Sequence, residues 1–268
     1  MMPMHSQRPS RSQTGFTLVE LMIAILIGLF LTGGLLTLTG AMKRTGKVQT
    51  GLDLLHDNQR LASTIMTDVI QSAGYFPLTS LNVGTASGTV LGALPAIGTT
   101  WIAGQSLRGA DGGTATQPND TISVRYLTAG NDGVLNCAGG TSATPATWIA
   151  TFSLDTNGSL MCTMTVNGAA VPAVAVVIPD SSTNLGGVKF MHFIYGVQSN
   201  TASTFTSVDS YLTATQVTAG NFWSNVISVQ AVLYYSNPLF GQPGQTDPSK
   251  QYIIVTRVIA LMNKAGVT

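Results

Sequence analysis

Apolar residues fill the chain from Phe16 to about Met42, interrupted by one charge, Glu20, and such a run predicts a helix apolar on every side. About 18 residues from Leu21 to Leu38 would span roughly 27 Å as a helix, enough for a bilayer core. The helical period then continues with a different surface. Val48, Leu52, Leu55, Ala62, Ile65, Val69 and Ala73 recur at three- and four-residue steps, with Lys47, Asp53, Asp57, Arg60 and Asp68 opposite. Gly74 and Pro77 in "AGYFP" supply a stop. One helix from Phe16 to about Ala73 would be on the order of 85 Å long, half in lipid and half on a folded domain. Gly33 and Gly34 each cost about 1 kcal/mol relative to Ala in water. They read either as close helix packing or as a weak point where the helix bends on leaving the bilayer.

After a Gly/Thr/Ser-rich stretch from Thr79 to Pro118 the pattern becomes extended. The runs are Thr121 to Thr128, Trp148 to Leu154, Ser159 to Val166, Ala173 to Ile178, Val188 to Val197, Val226 to Tyr235 and Tyr252 to Met262. Their short spacings predict antiparallel pairing, and Asp155 to Gly158 ("DTNG") predicts a hairpin between the second and third.

Composition narrows the setting. Charged residues make up 9% of the chain and the net charge is +1. Basic residues gather only at Lys43, Arg44 and Lys47, which leaves no footprint for nucleic acid. Arg8 and Arg11 precede the apolar run, so the N-terminal tail is expected in the cytoplasm and the remainder outside it. Cys137 and Cys162 then lie where a disulfide persists, and they are expected to pair, adding roughly 3 to 4 kcal/mol. The alternative is two unpaired buried thiols.

Glu20 is the only glutamate in the chain, and its place acquires a meaning from its neighbours. Gly15, Phe16, Thr17, Leu18, Val19 and Glu20, behind a short basic leader and ahead of an apolar helix, resemble the class III signal of type IV prepilins and pseudopilins. That resemblance implies cleavage by a prepilin peptidase after Gly15 and N-methylation of Phe16. It also implies that Glu20, fifth in the mature chain, pairs with the N-terminal amine of a neighbouring subunit to set fibre register. Further along, "DVIQSAGYF", "NDTISVRY", "NCAGG", "GSLMC", "YGV", "WSNVISVQAVLYYS" and "VTRVIALMN" look like successive landmarks of PilW-type minor pilins. There is no proline in the apolar helix and the chain is long for a major subunit, and both features favour a minor one.

The resemblance implies an α+β, type IV pilin-like fold: a long N-terminal helix, transmembrane then amphipathic, packed on an antiparallel β-sheet domain. Its divisions would be a leader at 1–15, a transmembrane and assembly helix at 16–42, an amphipathic half at 43–77 and a β-rich extracytoplasmic domain at 78–268. The implied role is pilus assembly in a priming complex at the bacterial inner membrane, with passage into the pilus and a possible place at its tip. Partners would be other minor pilins, the major pilin and the prepilin peptidase. Two alternatives stand beside it: a minor pseudopilin of a type II secretion system, and a membrane-anchored binding or enzymatic domain.

Little else in the chain points to chemistry, and neither an enzyme, a cofactor nor a small-molecule substrate is predicted. His5, His56 and His192 have no ligand spacing, so no metal site is expected. "GQSLRG" (Gly104 to Gly109) lacks nucleophile-elbow spacing and reads as a loop. Asp111 to Asp120 and Asn131 to Asn136 read as solvated turns rather than calcium loops. Trp101, Trp148 and Trp223 read as core or sheet packing.

Overall fold

The structure, a computed structural model, describes residues 15–77, 94–180, 185–200 and 207–262. Residues 1–14 with His5, most of the first half of the Gly/Thr/Ser-rich stretch and Asn263 lie outside them. The architecture is α+β: a long N-terminal helix followed by antiparallel β-structure. The chain divides into two compact units, Met1–Gln49 and Thr50–Thr268.

Helix α1 runs from Leu18 to Gln71. In the first unit its large side chains, Leu26, Phe30 and Leu36 among them, are exposed on every side. Gly33 and Gly34 do not interrupt it, and a Cβ at either would meet nothing. From Thr50 onward one face is buried, at Gly51, Leu55, Asn58, Ala62, Met66, Val69 and Ile70. This shifts the expected stripe, because Leu52 and Ile65 are only partly buried while Met66 and Ile70 enter the core. The polar Asn58 also lies inside, where its amide donates to the carbonyls of Gly186 (3.0 Å) and Ile178 (3.4 Å). Gly51 is held small by Leu185 and Pro238, 2.8 and 3.1 Å from where a Cβ would stand. Gly74 ends the helical segment with φ of 75°, a conformation open to glycine.

Among the described residues nine strands form two antiparallel sheets. The first has the order β1 (Leu107–Ala110), β4 (Thr121–Thr128), β5 (Ala146–Leu154), β6 (Leu160–Val166), β7 (Ala169–Val177). The second has the order β11 (Tyr252–Ala260), β10 (Val226–Ser236), β8 (Val188–Val197), β9 (Ser210–Leu212). A small ribbon, β2 (Gly113–Thr114) with β3 (Gln117–Pro118), a short helix α2 (Ala214–Ala219) and 3-10 turns at Trp223–Asn225 and Pro248–Lys250 complete the described elements. All seven predicted runs are strands, two of them with the predicted ends, because alternation or β-branched residues mark each. "GQSLRG" is corrected: Leu107 to Gly109 belong to β1, paired along β4. That segment carries one apolar residue among polar ones, so only its partner defines it as a strand. The hairpin at Asp155 to Gly158 is present with a longer loop, closed by Asp155 and Ser159. The two-residue turn is Asn167-Gly168, with φ of 50° and 83°, as a tight hairpin of primed type requires.

The core joins Leu55, Ala62, Met66 and Val69 of α1 to residues of both sheets, among them Tyr126, Phe152, Phe193 and Tyr235. Trp148 meets Tyr126 edge to face at 5.5 Å, and Trp223 meets Tyr195 at 5.0 Å, so the tryptophans pack as expected.

Arg125 is the exception inside this core. It is fully buried on β4, and its guanidinium donates to the carbonyls of Gln105 (2.6 and 3.0 Å), Pro95 (2.7 Å), Leu94 and Ile102 (both 3.3 Å). The ring of Trp101 lies 5.1 Å from its Cζ. Burial pushes the guanidinium pKa down to about 10, and it stays charged at neutral pH. Replacing Arg125 by Met leaves these carbonyls without their donor and should lower unfolding stability by roughly 3 kcal/mol. Urea denaturation of the detergent-solubilised chain, followed by tryptophan fluorescence, reads the shift.

Candidate functional site

The segment from Gly15 to Glu20 is built by helix-end chemistry. Thr17 precedes the first helical residue, and the backbone N–H groups there have no partner within the helix. Glu20 folds back: its Oε2 accepts from the Thr17 N–H and from the Thr17 hydroxyl, both at 3.1 Å. The Glu20 N–H donates in turn to Thr17 Oγ1 at 3.3 Å. This is a reciprocal capping box, and its T-x-x-E spacing was legible in the sequence. Sequence reasoning about Glu20 as a charge in an apolar run passed over it. A carboxylate in the first turn also complements the positive end of the helix. Phe16 stands clear of the rest of the chain, 88% exposed, one residue before the cap.

Beyond the cap, the hydroxyls in the apolar run are satisfied locally. Thr32 and Thr39 donate to the carbonyls of Gly28 and Leu35 at 2.7 Å, and Thr37 to that of Gly34 at 2.8 Å. No hydroxyl in this set needs water, which suits an apolar solvent. Among the described residues, α1 is the one helix long and apolar enough to cross a membrane.

In the second unit, Cys137 and Cys162 form a disulfide with Cα atoms 6.4 Å apart. It ties the loop after β4 to β6. The acidic loops do more than the solvated turns expected of them. Asp111 accepts from the N–H groups of Ala214 (2.9 Å) and Thr215 (2.8 Å), capping α2 from far along the sequence. Asp120 is buried, accepting from Gly112 N–H and Phe193 N–H (both 2.9 Å) and bonding His192 Nδ1 at 2.6 Å. Asp132 accepts from the Thr128 hydroxyl and Ala129 N–H, and Asp209 from Ser199 and Asn200 N–H. Burial opposes the charged form at Asp111 and Asp132, but hydrogen bonds outweigh it and both titrate below the ordinary carboxylate range. The backbone donors of Asn200 and Ser199 hold Asp209 at about 2.

Among the described residues no three His, Cys, Asp or Glu side chains come together. His192 serves Asp120, and His56 is exposed on α1. Among the described residues these polar groups serve packing and capping within the chain.

Comparison with known families gives two matches. Residues 10–36 match the prokaryotic N-terminal methylation motif, and residues 149–263 match the type IV pilus-assembly protein W family. No curated protein and no solved structure matches the chain.

Two outcomes follow for the second unit. Replacing Cys137 and Cys162 together by Ala should lower stability by roughly 3 to 4 kcal/mol, seen as an earlier urea midpoint than in the oxidised parent. The depressed carboxyls set the pH response. Their folded-state pKa lies below the unfolded value, so their stabilisation is complete above an ordinary carboxylate pKa of about 4 and is lost as pH falls through the folded value. Melting temperature should therefore hold from neutral pH to about 5 and decline below about 4. In Asp111→Asn, amide exchange at Ala214 and Thr215 should be fast already at neutral pH.

Proposed function

We infer that this chain is a PilW-type minor pilin of type IV pilus assembly, because an N-terminal methylation motif opens its one long helix and its β-rich region matches the pilus-assembly W family. The observation that carries the reading is the capped start of α1. A Gly15-Phe16 bond lies just before a helix whose first turn holds the chain's lone glutamate.

On this reading α1 anchors the protein in the inner membrane with its N-terminus in the cytoplasm and the β-rich region in the periplasm. Prepilin peptidase cuts between Gly15 and Phe16 and methylates the Phe16 amine. The subunit then leaves the bilayer and packs with other minor pilins and the major pilin, exchanging lipid contacts around Leu26, Phe30 and Leu36 for subunit contacts. Glu20 fixes register by meeting a neighbour's amine. The capping box refines this step: before assembly the carboxylate is already satisfied by Thr17, so the monomer holds it ready at little cost. On assembly an intrachain contact is exchanged for a charge pair in an apolar setting, where an unpaired charge would cost several kcal/mol.

Intact mass and N-terminal sequencing of the membrane-extracted protein test the cleavage. The expected mature chain begins at methylated Phe16 when the peptidase is present and keeps its leader when it is absent. Retention of the leader with active peptidase overturns the reading. Glu20→Gln separates capping from charge, since glutamine also serves in a capping box. The reading expects Glu20→Gln to be cleaved normally and to fail in fibre formation as Glu20→Ala does. Normal fibres from the glutamine variant would confine Glu20 to helix capping.

A further inference from the structure

The two sheets have four outer edges among the described residues, and three of them are poor templates for further strands. β1 has four residues and β9 three. β7 has nine, but it carries Pro172 and two register irregularities against β6. Short strands, proline and bulges are the devices that keep sheet edges from pairing with other chains. β11 has none of them. Its nine residues run in unbroken register along β10, from Ser236↔Tyr252 to Ser228↔Ala260.

The outward face of this edge is apolar as well. Ile254 and Val258 point to the same side and are 57% and 62% exposed. Ile254 stands beside Tyr234 and Phe190 across the sheet, and Val258 beside Gln230 and Ile194. Phe190 also packs on Tyr234 and Tyr252, at 6.1 and 5.2 Å between ring centres. On this face His192 of β8 is bound to Asp120, and neither β10 nor β11 places a carboxylate or a cation there. Arg257 is the single formal charge in β11, is exposed, and has no ion-pair or hydrogen-bond partner among the described residues.

We propose that β11 is a strand-pairing edge: it receives an extended segment of a different pilin-type subunit as an added strand, with apolar residues against Ile254 and Val258 and a carboxylate beside Arg257. This rests on the reading of the chain as a fibre-complex subunit. The charge favours a different subunit over a second copy. β11 contains no acid, and two copies paired antiparallel about its middle would set their Arg257 side chains on diagonal positions, roughly 7 to 8 Å apart, with nothing to offset them. Main-chain hydrogen bonds along the edge give the affinity, and the alternate side chains with Arg257 give the choice of partner.

The test uses the full chain in cells that assemble fibres, with photoreactive benzoylphenylalanine placed at Val258 and, as the comparison, at Val174 on β7. Illumination should join position 258 to another pilin subunit, identified by the mass of the linked peptides, and position 174 should give little. Arg257→Glu should reduce that adduct about tenfold, and reversing the linked partner's acid to Arg should restore it. Oxidation of Cys137 to Cys162 on non-reducing gels shows that each variant has folded. The proposal falls if position 258 links only to lipid, to its own chain or to a second copy, or if positions 258 and 174 link equally. The N-terminal mass of the same sample keeps the two readings apart. Mature Phe16 without the adduct sinks the β11 edge alone, whereas a retained leader sinks the pilin reading.

Discussion

The carbonyl cage around Arg125 is the interaction on which the second unit depends. A buried guanidinium without a carboxylate must distribute five N–H donors over fixed acceptors, and here the acceptors are backbone atoms of residues 94–105. The same residue ties two other parts together through its main chain. Its carbonyl accepts from Gly74 N–H at the end of α1, and its N–H donates to Ser106 O beside β1. One position therefore fixes where the helix stops, where the following segment lies and where the first sheet begins. No acid occurs between Asp68 and Asp111, so carbonyls, not an ion pair, keep the charge inside.

The acids of the β-rich region are used in the complementary way. Asp111, Asp120, Asp132 and Asp209 each gather backbone N–H groups that no strand or helix satisfies. Asp120 has the widest consequence. Its N–H donates to Met191 O while its carboxylate holds Phe193 N–H and His192, so it locks the start of β4 in one sheet to β8 in the other. A region rich in Gly, Thr and Ser gains little order from side-chain burial, and these carboxylates supply part of it. The disulfide adds a covalent tie from the loop between Asp132 and β5 to β6.

Glu20 belongs to a different economy of charge. Within the monomer it is a helix-capping residue, and in a fibre it would be a partner for an amine. Both uses need an acceptor at the first turn, so under the proposed function a single carboxylate would serve them in succession. The methylation motif and the capping box thus occupy the same residues for compatible physical reasons.

The sequence by itself determined the parts whose signal is periodic or local. An all-round apolar run followed by a one-sided stripe implies a long helix that passes from one solvent to another, because helix periodicity is a property of consecutive residues. The same holds for the long strands, and for the local run from Gly15 to Glu20, which falls within the matched N-terminal methylation motif. The capping box was equally local, spelled by Thr17 and Glu20, and needed only a different question. Tertiary structure decided what depends on distant partners. Leu107 to Ala110 becomes a strand because β4 offers its edge, and Asn58 enters the core because Gly186 and Ile178 present carbonyls there. Arg125 is buried because residues 94–105 fold over it, and Asp111 becomes a cap because α2 begins beside it, about a hundred residues further along the chain. Each of these depends on hydrogen-bond partners far apart in sequence, a relation which no periodicity records.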